Sequence, residues 1–413
     1  MAESTPTTSA SSADSAAAPP IAILGAGPVG LEAALAAAEL GRSFVLYEAG
    51  DEVAAAVRDW GHVRLFSPWS LNVSERMRRH LEGAGQEVPD DDRCPTGQEL
   101  VDRVLIPLSR LPAIAPHLRL GTRVLGVGRK GLVKNQEIGT SERASRPFLL
   151  LLEDSGGREW TEMASVVLDC TGSYQLPNSL GDGGIPAPGE TALEDEIVRR
   201  IPDFEEEAEL WADRSILLVG AGHSAQTAAC ALAGIARERP RTKVYWVLRR
   251  RQPSFSALDD DPLPERSKLI RDALAVACGE ACGFETRYGS VVETLERDGE
   301  RLRVHLKGEN GEGDSLHVDR ILSLTGAVGD HKLYRQLQVH ECYATSGPMK
   351  LAAALLGESS SDCLAQTSHG PETLRNPEPD FYILGSKSYG RNTSFLLRVG
   401  WQQVEEVMEL VAS

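Results

Sequence analysis

The chain lacks two features that would each place it in a broad class of protein. It has no excess of positive charge, since 43 Lys and Arg stand against 60 Asp and Glu and give a net charge of −17. Nucleic-acid-binding proteins neutralise phosphates with Lys and Arg. It also has no uninterrupted apolar run close to the ~20 residues that span a bilayer. We therefore expect neither a nucleic-acid partner nor a membrane segment.

The cysteines also lack the spacing of a known site. There are seven, and the closest pair is Cys278 and Cys282 in "CGEAC". This spacing is neither the Cys-x-x-Cys redox motif nor half of a good zinc site. We expect buried thiols that act as small apolar residues, no metal site, and a reducing cytoplasm as the location.

The length and the first residues set further bounds. A chain of 413 residues is long enough for two or three domains. Residues 1–20 are rich in Ala, Ser, Thr and Pro and contain neither a basic region nor an apolar core. We predict a disordered tail there and no secretory signal. The oligomeric state stays open, and a homo-oligomer is one of the options.

The segment "AILGAGPVG" at residues 22–30 is a glycine-rich turn between a predicted strand and a predicted helix. Gly25 makes the tight turn, Gly27 lets the backbone approach a pyrophosphate, and Gly30 allows the helix to pack on the strand. Glu48 follows Gly30 by 18 residues, at the end of the next predicted strand. A carboxylate there can accept hydrogen bonds from ribose hydroxyls, so the pattern predicts a dinucleotide site.

A second such turn, "LLVGAGHSA", lies at residues 217–225 and contains Gly220, Gly222 and Ala225. This is the permitted G-x-G-x-x-A form. Its following strand ends in three arginines, 249–251, where the first unit has an acid. Cations there favour a ribose 2′-phosphate, and therefore NADPH over NADH; the alternative is that they decorate an exposed turn.

Two longer segments also allow specific predictions. The acidic stretch "EDEIVRRIPDFEEEAELW" is expected to be a solvated helix face. "NTSFLLRVGWQQVEEVMELV" is expected to be an amphipathic helix capped by Asn392, Thr393 or Ser394. Further strands are predicted in "ASVVLDCTG", "KVYWVLRR" and "DFYILGS".

Together with the two turns, three short segments carry a family resemblance. "LDCTG" (168–172), "LSLTG" (322–326) and "FYILGS" (381–386) resemble the strand-turn markers of the two-dinucleotide-binding-domain flavoproteins. That superfamily includes thioredoxin-reductase-like enzymes and flavin-containing monooxygenases. Its members usually carry Gly-Asp after the last strand, whereas this chain has Gly385-Ser386.

The resemblance implies an α/β fold with two Rossmann-like dinucleotide-binding domains. Each would have three layers, in the order ββα, and the NADPH domain would be inserted into the FAD domain. The FAD domain would comprise 21–190 and 330–413, and the NAD(P)H domain 213–329. The implied FAD-binding residues are Gly25, Gly27, Pro28, Val29, Gly30, Glu48, Ala49, Val124, Thr171, Gly172, Gly385, Ser386 and Asn392. The implied NADPH-binding residues are Gly220, Gly222, His223, Ser224, Ala225, Arg249, Arg250, Thr325 and Gly326.

The reaction is less closely specified than the cofactors. The Ser224-Ala225 ending is similar to that of flavin-containing monooxygenases, although their F-x-G-x-x-x-H fingerprint is absent. The favoured interpretation is an NADPH-using enzyme that inserts one oxygen of O2 into a small molecule through a flavin C4a-(hydro)peroxide. The alternatives are a reductase that passes electrons to a quinone, metal or protein acceptor, and a non-catalytic FAD-bound redox sensor.

Four side chains are candidates for the substrate side of the flavin: His62, Phe66, Trp69 and Tyr389. An ordinary loop histidine is the competing interpretation of His62. Packing against FAD or in the core is the competing one for Trp69. His223 is expected either beside the coenzyme phosphates or as a simple first residue of a helix.

Overall fold

The computed structural model describes residues 18–251, 255, 261–357 and 368–412, so residues 1–17 of the predicted tail lie outside it. Its strands, in chain order, are β1 (Ile21–Leu24), β2 (Phe44–Tyr47), β3 (Leu118–Arg119), β4 (Thr122–Arg129), β5 (Phe148–Asp154), β6 (Glu159–Ala164), β7 (Val166–Asp169), β8 (Leu176–Pro177), β9 (Ile197–Val198), β10 (Ser215–Val219), β11 (Lys243–Leu248), β12 (Phe284–Tyr288), β13 (Ser290–Asp298), β14 (Arg301–Gly308), β15 (Gly313–Val318), β16 (Arg320–Ser323), β17 (Ala327–Val328), β18 (Glu341–Cys342), β19 (Gly347–Pro348) and β20 (Phe381–Ile383).

The α-helices are α1 (Pro28–Glu39), α2 (Ala55–Arg58), α3 (Trp69–Asn72), α4 (Glu75–Gly83), α5 (Gly97–Leu100), α6 (Ile106–Ser109), α7 (Ser141–Ser145), α8 (Ala208–Trp211), α9 (His223–Glu238), α10 (Pro264–Ala275), α11 (Met349–Gly357), α12 (Pro371–Leu374) and α13 (Leu397–Ala412). Helices α5 and α6 are joined by a π-helical turn, Val101–Leu105. Within the described part of the chain, no helix combines the length and the apolar character needed to span a membrane.

The first unit is built around a parallel sheet with the order β20-β7-β1-β2-β3. The side chains of β1 alternate between its two faces, as a strand requires. Ile21 and Ile23 pack into a core with helix α1, whereas Ala22 and Leu24 pack into a core with the antiparallel sheet β4-β5-β6. The unit therefore has three layers: an antiparallel sheet, a parallel sheet and helices.

The second unit repeats this layering. Its parallel sheet has the order β12-β11-β10-β16-β9, and an antiparallel sheet β13-β14-β15 covers one face. Ile216 and Leu218 of β10 face helix α9, while Leu217 and Val219 face the antiparallel sheet. The predicted class, α/β with two ββα dinucleotide-type units, is therefore confirmed at the level of the layers.

The strands of the second parallel sheet all lie, in sequence, between β7 and β20 of the first. The chain leaves the first unit after β7 and returns before β20, and the two crossings pair as the antiparallel strands β8 and β17. Asn178 reinforces this pairing, because its N–H donates to the Gly326 carbonyl at 2.8 Å.

Two predictions about helices were wrong. The acidic stretch is not one helix, since it contains strand β9, a turn and only the short helix α8. Asp203 closes that turn by accepting the N–H groups of Glu205 and Glu206, and such side-chain bonds compete with helix formation. The last helix begins at Leu397 and not at 392–394, because Asn392 Oδ1 accepts the N–H of Ser394 and closes a local turn.

Candidate functional site

The first glycine-rich turn leaves no room for side chains at two of its three glycines. Gly25 has a φ of +94°, and a Cβ on it would lie 2.9 Å from the Cys170 carbonyl oxygen. A Cβ on Gly30 would lie 1.8 Å from the Gly25 carbonyl oxygen. A Cβ on Gly27, in contrast, would meet nothing within 4 Å. Two glycines therefore serve backbone packing, and Gly27 faces open space above the turn.

This turn directs free amide groups toward that open space. Within the described residues, the N–H groups of Gly27, Val29 and Gly30 have no acceptor, and no side chain caps helix α1. Pro28 has no N–H to offer. The amide of Ala26 is occupied, because it donates to Glu48 Oε2 at 2.9 Å. Three donors at a helix N-terminus form a ready anion site.

Glu48 is buried at the end of β2, and its carboxylate also accepts the N–H of Gly50 at 3.0 Å. Burial raises the pKa of Glu48, while these backbone bonds and the charge of Arg123 oppose the rise. Arg123, Ala49 and Gly121 line a shallow depression beside it. Val124 lies at the start of a bulge in β4, next to Arg123. Of the predicted FAD residues, Ala49 lines this depression.

The second turn has the same shape but a different third residue. Gly220 has a φ of +134°, and a Cβ on it would lie 2.2 Å from the Leu324 carbonyl oxygen. A Cβ on Gly222 would meet nothing within 4 Å, as at Gly27. Ala225 stands where the first turn has Gly30, and it is completely buried.

Two buried side chains hold the second turn, and neither role was predicted from the sequence. Trp246 Nε1 donates to the Gly220 carbonyl at 2.9 Å, and Gln226 Nε2 donates to the Ala221 carbonyl at 3.0 Å. In the part of the chain that the structure describes, five consecutive amides lack an acceptor: Ala221, Gly222, His223, Ser224 and Ala225. Nothing in the strand segment "KVYWVL" indicates that its Trp holds the turn, because a Trp in a buried strand is expected to pack in the core.

The three arginines after β11 differ in their partners. Arg251 pairs with Glu309 and donates to Asn310 Oδ1 at 3.0 Å. Arg249 and Arg250 are exposed and make no ion pair with any residue in the described ranges. Both predicted NADPH arginines are therefore available to an anion at this edge of the sheet.

The residues after β7 and β20 meet at the carboxyl edge of the first sheet. A Cβ on Gly172 would lie 3.7 Å from Ser386 Oγ, and a Cβ on Gly385 would lie 3.2 Å from Val29 Cγ2. Thr171 Oγ1 donates to Asp169 Oδ1 at 2.7 Å. The structure thus brings together five of the predicted FAD residues, Val29, Thr171, Gly172, Gly385 and Ser386, and the Thr171 hydroxyl is engaged by Asp169.

A buried ion pair that was not predicted from the sequence lies at the same edge. Lys387 Nζ donates to Asp169 Oδ2 at 2.6 Å, to Thr171 Oγ1 at 3.1 Å and to the Asp330 carbonyl at 2.7 Å. All three ammonium hydrogens are used, and both charged side chains are at most 1% exposed. Lys387 thereby ties β7 to the segment that returns from the second unit.

Thr325 and Gly326 lie against the other crossing segment. Thr325 Oγ1 donates to the Asn178 carbonyl at 2.7 Å, and the Thr325 carbonyl accepts from Asn178 Nδ2 at 3.1 Å. Asn178 Oδ1 also accepts from Arg391 Nη1 at 3.1 Å. The polar groups of Thr325 are thus engaged with the crossing segment of the first unit.

The four substrate-side candidates do not form one cluster. Trp69 is completely buried in the helix-side core, with Arg93 and Arg103 about its ring, so it packs rather than faces a substrate. Tyr389 is also buried and meets the Phe395 ring edge-on. His62 is exposed and Phe66 is partly buried. Only these last two present surface to a ligand.

His223 and Phe66 join the two units. Their ring centroids lie 5.1 Å apart in an edge-on arrangement. Burial lowers the pKa of His223, and the nearby Arg266 cation lowers it further, so the imidazole is neutral at neutral pH. Arg266 itself is held by Asp261 through Nε at 2.8 Å and Nη2 at 2.6 Å.

The six cysteines within the described residues are all free thiols. Cys170 lies behind the first turn, with its Cβ 3.6 Å from the position of a Cβ on Gly30, and burial strongly raises the pKa of its thiol. Cys278 and Cys282 are free and exposed, so the expectation that these two are buried was wrong. Cys363 lies outside the described residues. The described residues contain no cluster of metal-ligating side chains.

Both turns fit the pyrophosphate of a dinucleotide by their own geometry. Each has a glycine whose missing Cβ leaves open space, and each has amides at the start of a helix that find no acceptor among the described residues, with no acid in the first turn of that helix. The first is followed by a buried carboxylate, Glu48, and the second by the exposed cations Arg249 and Arg250. This donor set suits a dinucleotide pyrophosphate at each turn.

Comparisons with known proteins show a similarity of fold to solved structures. No family model and no curated protein matches the chain. Bacillithiol disulfide reductase Bdr of Bacillus cereus has a TM-score of 0.65 and 17% identity, covering 96% of this chain and 99% of its own. The ornithine N-hydroxylase of Kutzneria sp. 744 has a TM-score of 0.63 and 14% identity, covering 96% and 100%. The thioredoxin reductase of Lactococcus lactis has a TM-score of 0.59 and 16% identity, covering 95% and 99%.

The chain therefore has the fold of the two-dinucleotide-binding-domain flavoproteins. Structures with this fold include both disulfide reductases and N-hydroxylating monooxygenases. The resemblance seen in the sequence is confirmed as a resemblance of fold over nearly the whole chain.

Proposed function

We propose that this protein is an FAD-dependent, NADPH-using oxidoreductase, with residues 21–190 and 330–413 forming the FAD domain and residues 213–329 the inserted NAD(P)H domain. The observation that carries the proposal is the pair of turns, each with unpaired amides facing open space. One ends beside a buried acid and the other beside exposed arginines. The ornithine N-hydroxylase with this fold was solved with reduced FAD, NADP+ and L-ornithine.

The first turn would hold FAD. The amides of Gly27, Val29 and Gly30 would donate to its pyrophosphate, and Glu48 would accept from its ribose while it holds Ala26. Ala49 and Val124 would border the adenosine, and Thr171, Gly172, Gly385 and Ser386 would border the rest of the cofactor. When bound, FAD and NADPH together supply the hydride chemistry. Asn392 stays a candidate for FAD binding, although it does not lie at the start of a helix as the sequence suggested.

The second turn would hold NADPH. The five amides from Ala221 to Ala225 would donate to its pyrophosphate, and Arg249 and Arg250 would pair with the 2′-phosphate. His223 would contribute no charge at neutral pH, and its ring would give up the contact with Phe66 to orient the coenzyme. These residues bind and orient; none of them has to transfer a proton.

Within this class we favour a monooxygenase that acts on a small molecule with O2. The supporting observation is the first turn itself, where the thiol packed against it, that of Cys170, is buried behind the backbone with a strongly raised pKa. A thiol in that state is neither a nucleophile nor half of a dithiol. The second candidate is a reductase that uses FAD as a relay to a quinone, metal or protein acceptor. It is favoured by the likeness to Bdr and to thioredoxin reductase.

Oxygen dependence separates the two candidates. The FAD-reconstituted protein is reduced with NADPH and then mixed either with O2 or, anaerobically, with the quinone menadione. A monooxygenase should turn over only with O2 and show a transient absorbance that belongs to neither oxidised nor reduced flavin. Rapid anaerobic turnover with menadione and no such transient would favour the reductase. A protein that stays colourless after incubation with FAD would refute the proposal as a whole.

The exposed cysteines provide an internal control for this experiment. The double variant Cys278→Ser/Cys282→Ser should reduce its flavin with NADPH at the rate of the original protein, because neither thiol lies in a dinucleotide turn. Loss of flavin reduction in this variant would revive a dithiol mechanism.

A further inference from the structure

The first peptides of the two turns point in opposite senses. In the first turn, the carbonyl of Gly25 points at Gly30, and the following N–H, on Ala26, donates inward to Glu48. In the second turn, the carbonyl of Gly220 points inward and accepts from Trp246 Nε1 at 2.9 Å. One turn is therefore held through an amide, and the other through a carbonyl.

The planar trans peptide converts this difference into a difference in donors. In a trans peptide the C=O and the following N–H point in opposite directions, and the described residues contain no cis peptide. Since Trp246 holds the carbonyl of Gly220, the N–H of Ala221 points outward. Gln226 holds the carbonyl of Ala221 at 3.0 Å, so the N–H of Gly222 points outward as well.

Ala225 excludes the alternative orientation. If the carbonyl of Gly220 took the direction of the Gly25 carbonyl, it would meet the Ala225 methyl at a distance like the 1.8 Å that forbids a Cβ on Gly30. No real Cβ contact is that short. The Ser-Ala ending of the second turn and the Trp246 hydrogen bond therefore specify the same peptide orientation.

The indole of Trp246 is itself held in place. It is completely buried, and the Phe255 ring stacks on it at 5.3 Å with an interplanar angle of 7°. The Phe255 carbonyl accepts from Gln226 Nε2 at 3.3 Å, so the two side chains that hold the turn are linked to each other. This linkage fixes the direction of the indole N–H.

We infer that Trp246 is a positioning residue for the coenzyme: it acts through the Gly220 carbonyl to direct the amides of Ala221 and Gly222 at the NADPH pyrophosphate. This inference rests on the proposed function, because it needs a dinucleotide at the second turn. It goes beyond that proposal by assigning coenzyme affinity to a side chain that lies in the core and touches no ligand.

The test is Trp246→Phe, which keeps an aromatic ring against Phe255 and removes the N–H together with part of the buried indole. The matched control is Trp211→Phe, another buried tryptophan of the same core cluster, whose Nε1 contacts Glu207 at 3.4 Å away from the turn. We expect Trp246→Phe to raise the Kd of NADP+, measured by calorimetry, about three- to tenfold. The KM for NADPH should rise similarly, with kcat at saturation and FAD content unchanged. Trp211→Phe should change none of these.

The second variant, Ala225→Gly, removes the methyl group that excludes the alternative orientation. Alone it should weaken NADP+ binding less than Trp246→Phe does, because Trp246 still holds the carbonyl. Combined with Trp246→Phe it should weaken NADP+ binding more than the two single effects together predict.

The outcomes distinguish failure of the proposed function from failure of this inference alone. An original protein that binds no NADP+ would overturn the proposed function and this inference with it. An original protein that binds NADP+ equally well after Trp246→Phe would overturn the inference alone. If Trp246→Phe loses FAD and thermal stability while its folded fraction still binds NADP+ as the original protein does, Trp246 serves only the core, and the inference is overturned.

Discussion

The Phe66 ring lies edge-on to the His223 imidazole, with the ring centroids 5.1 Å apart, and this contact joins the two dinucleotide units. Phe66 comes from the loop before helix α3, and His223 is the first residue of helix α9. The contact therefore lies directly at the turn that we propose for NADPH.

We expect Phe66→Ala to tighten NADP+ binding by about two- to tenfold, because a coenzyme at this turn no longer has to displace an aromatic contact of this kind. Calorimetric titration with NADP+ measures the change. Phe204→Ala is the control, since Phe204 meets Trp211 in the same edge-on geometry but lies away from both turns. Weaker binding in Phe66→Ala would show instead that the ring supports the coenzyme.

Glu48→Gln should weaken FAD binding about tenfold, because an amide cannot accept from both Ala26 and Gly50 with the strength of a carboxylate. Burial raises the pKa of Glu48, so protonation should begin at a higher pH than for an ordinary glutamate. FAD retention by the original protein should therefore fall as the solution becomes mildly acidic, and retention by the variant should not. Flavin released on a desalting column, followed against pH, measures both effects, with Glu52→Gln as an exposed control.

Arg249→Ala should raise the KM for NADPH by about ten- to a hundredfold and leave the KM for NADH nearly unchanged, because a charge-assisted bond to the 2′-phosphate is lost. Arg251→Ala is the matched control, since its guanidinium is already paired with Glu309 and Asn310. Steady-state assays with both coenzymes give the two ratios. Equal effects on NADPH and NADH would argue against the 2′-phosphate role.

Lys387→Met should lower the free energy of unfolding by about 3–5 kcal/mol, because it leaves the Asp169 carboxylate buried without its cation. The double variant Lys387→Met/Asp169→Leu should recover much of that loss, since it removes both charges. Chemical denaturation of the three proteins measures the effect. A single variant as stable as the original would mean that the carboxylate is neutralised in another way.

The sequence by itself was sufficient for the parts of this protein that depend on local backbone chemistry. The glycines of the two turns, the strand-turn-helix order and the Glu48 and Arg249 positions could all be predicted. Each follows from a steric or electrostatic requirement within about 30 residues of chain. The start of the last helix could not, because Asn392 satisfies a local turn as readily as it would cap a helix.

The tertiary structure decided what depends on residues distant in sequence. Lys387 and Asp169 are 218 residues apart and meet only because β7 and β20 are neighbours in one sheet. The sequence predicts Trp246 to be a core residue. It reaches the Gly220 carbonyl only because β11 lies beside β10. Phe66 and His223 meet only where the two units touch. A short-range pattern specifies which backbone turns form, whereas packing between elements decides which way their peptides point and what they face.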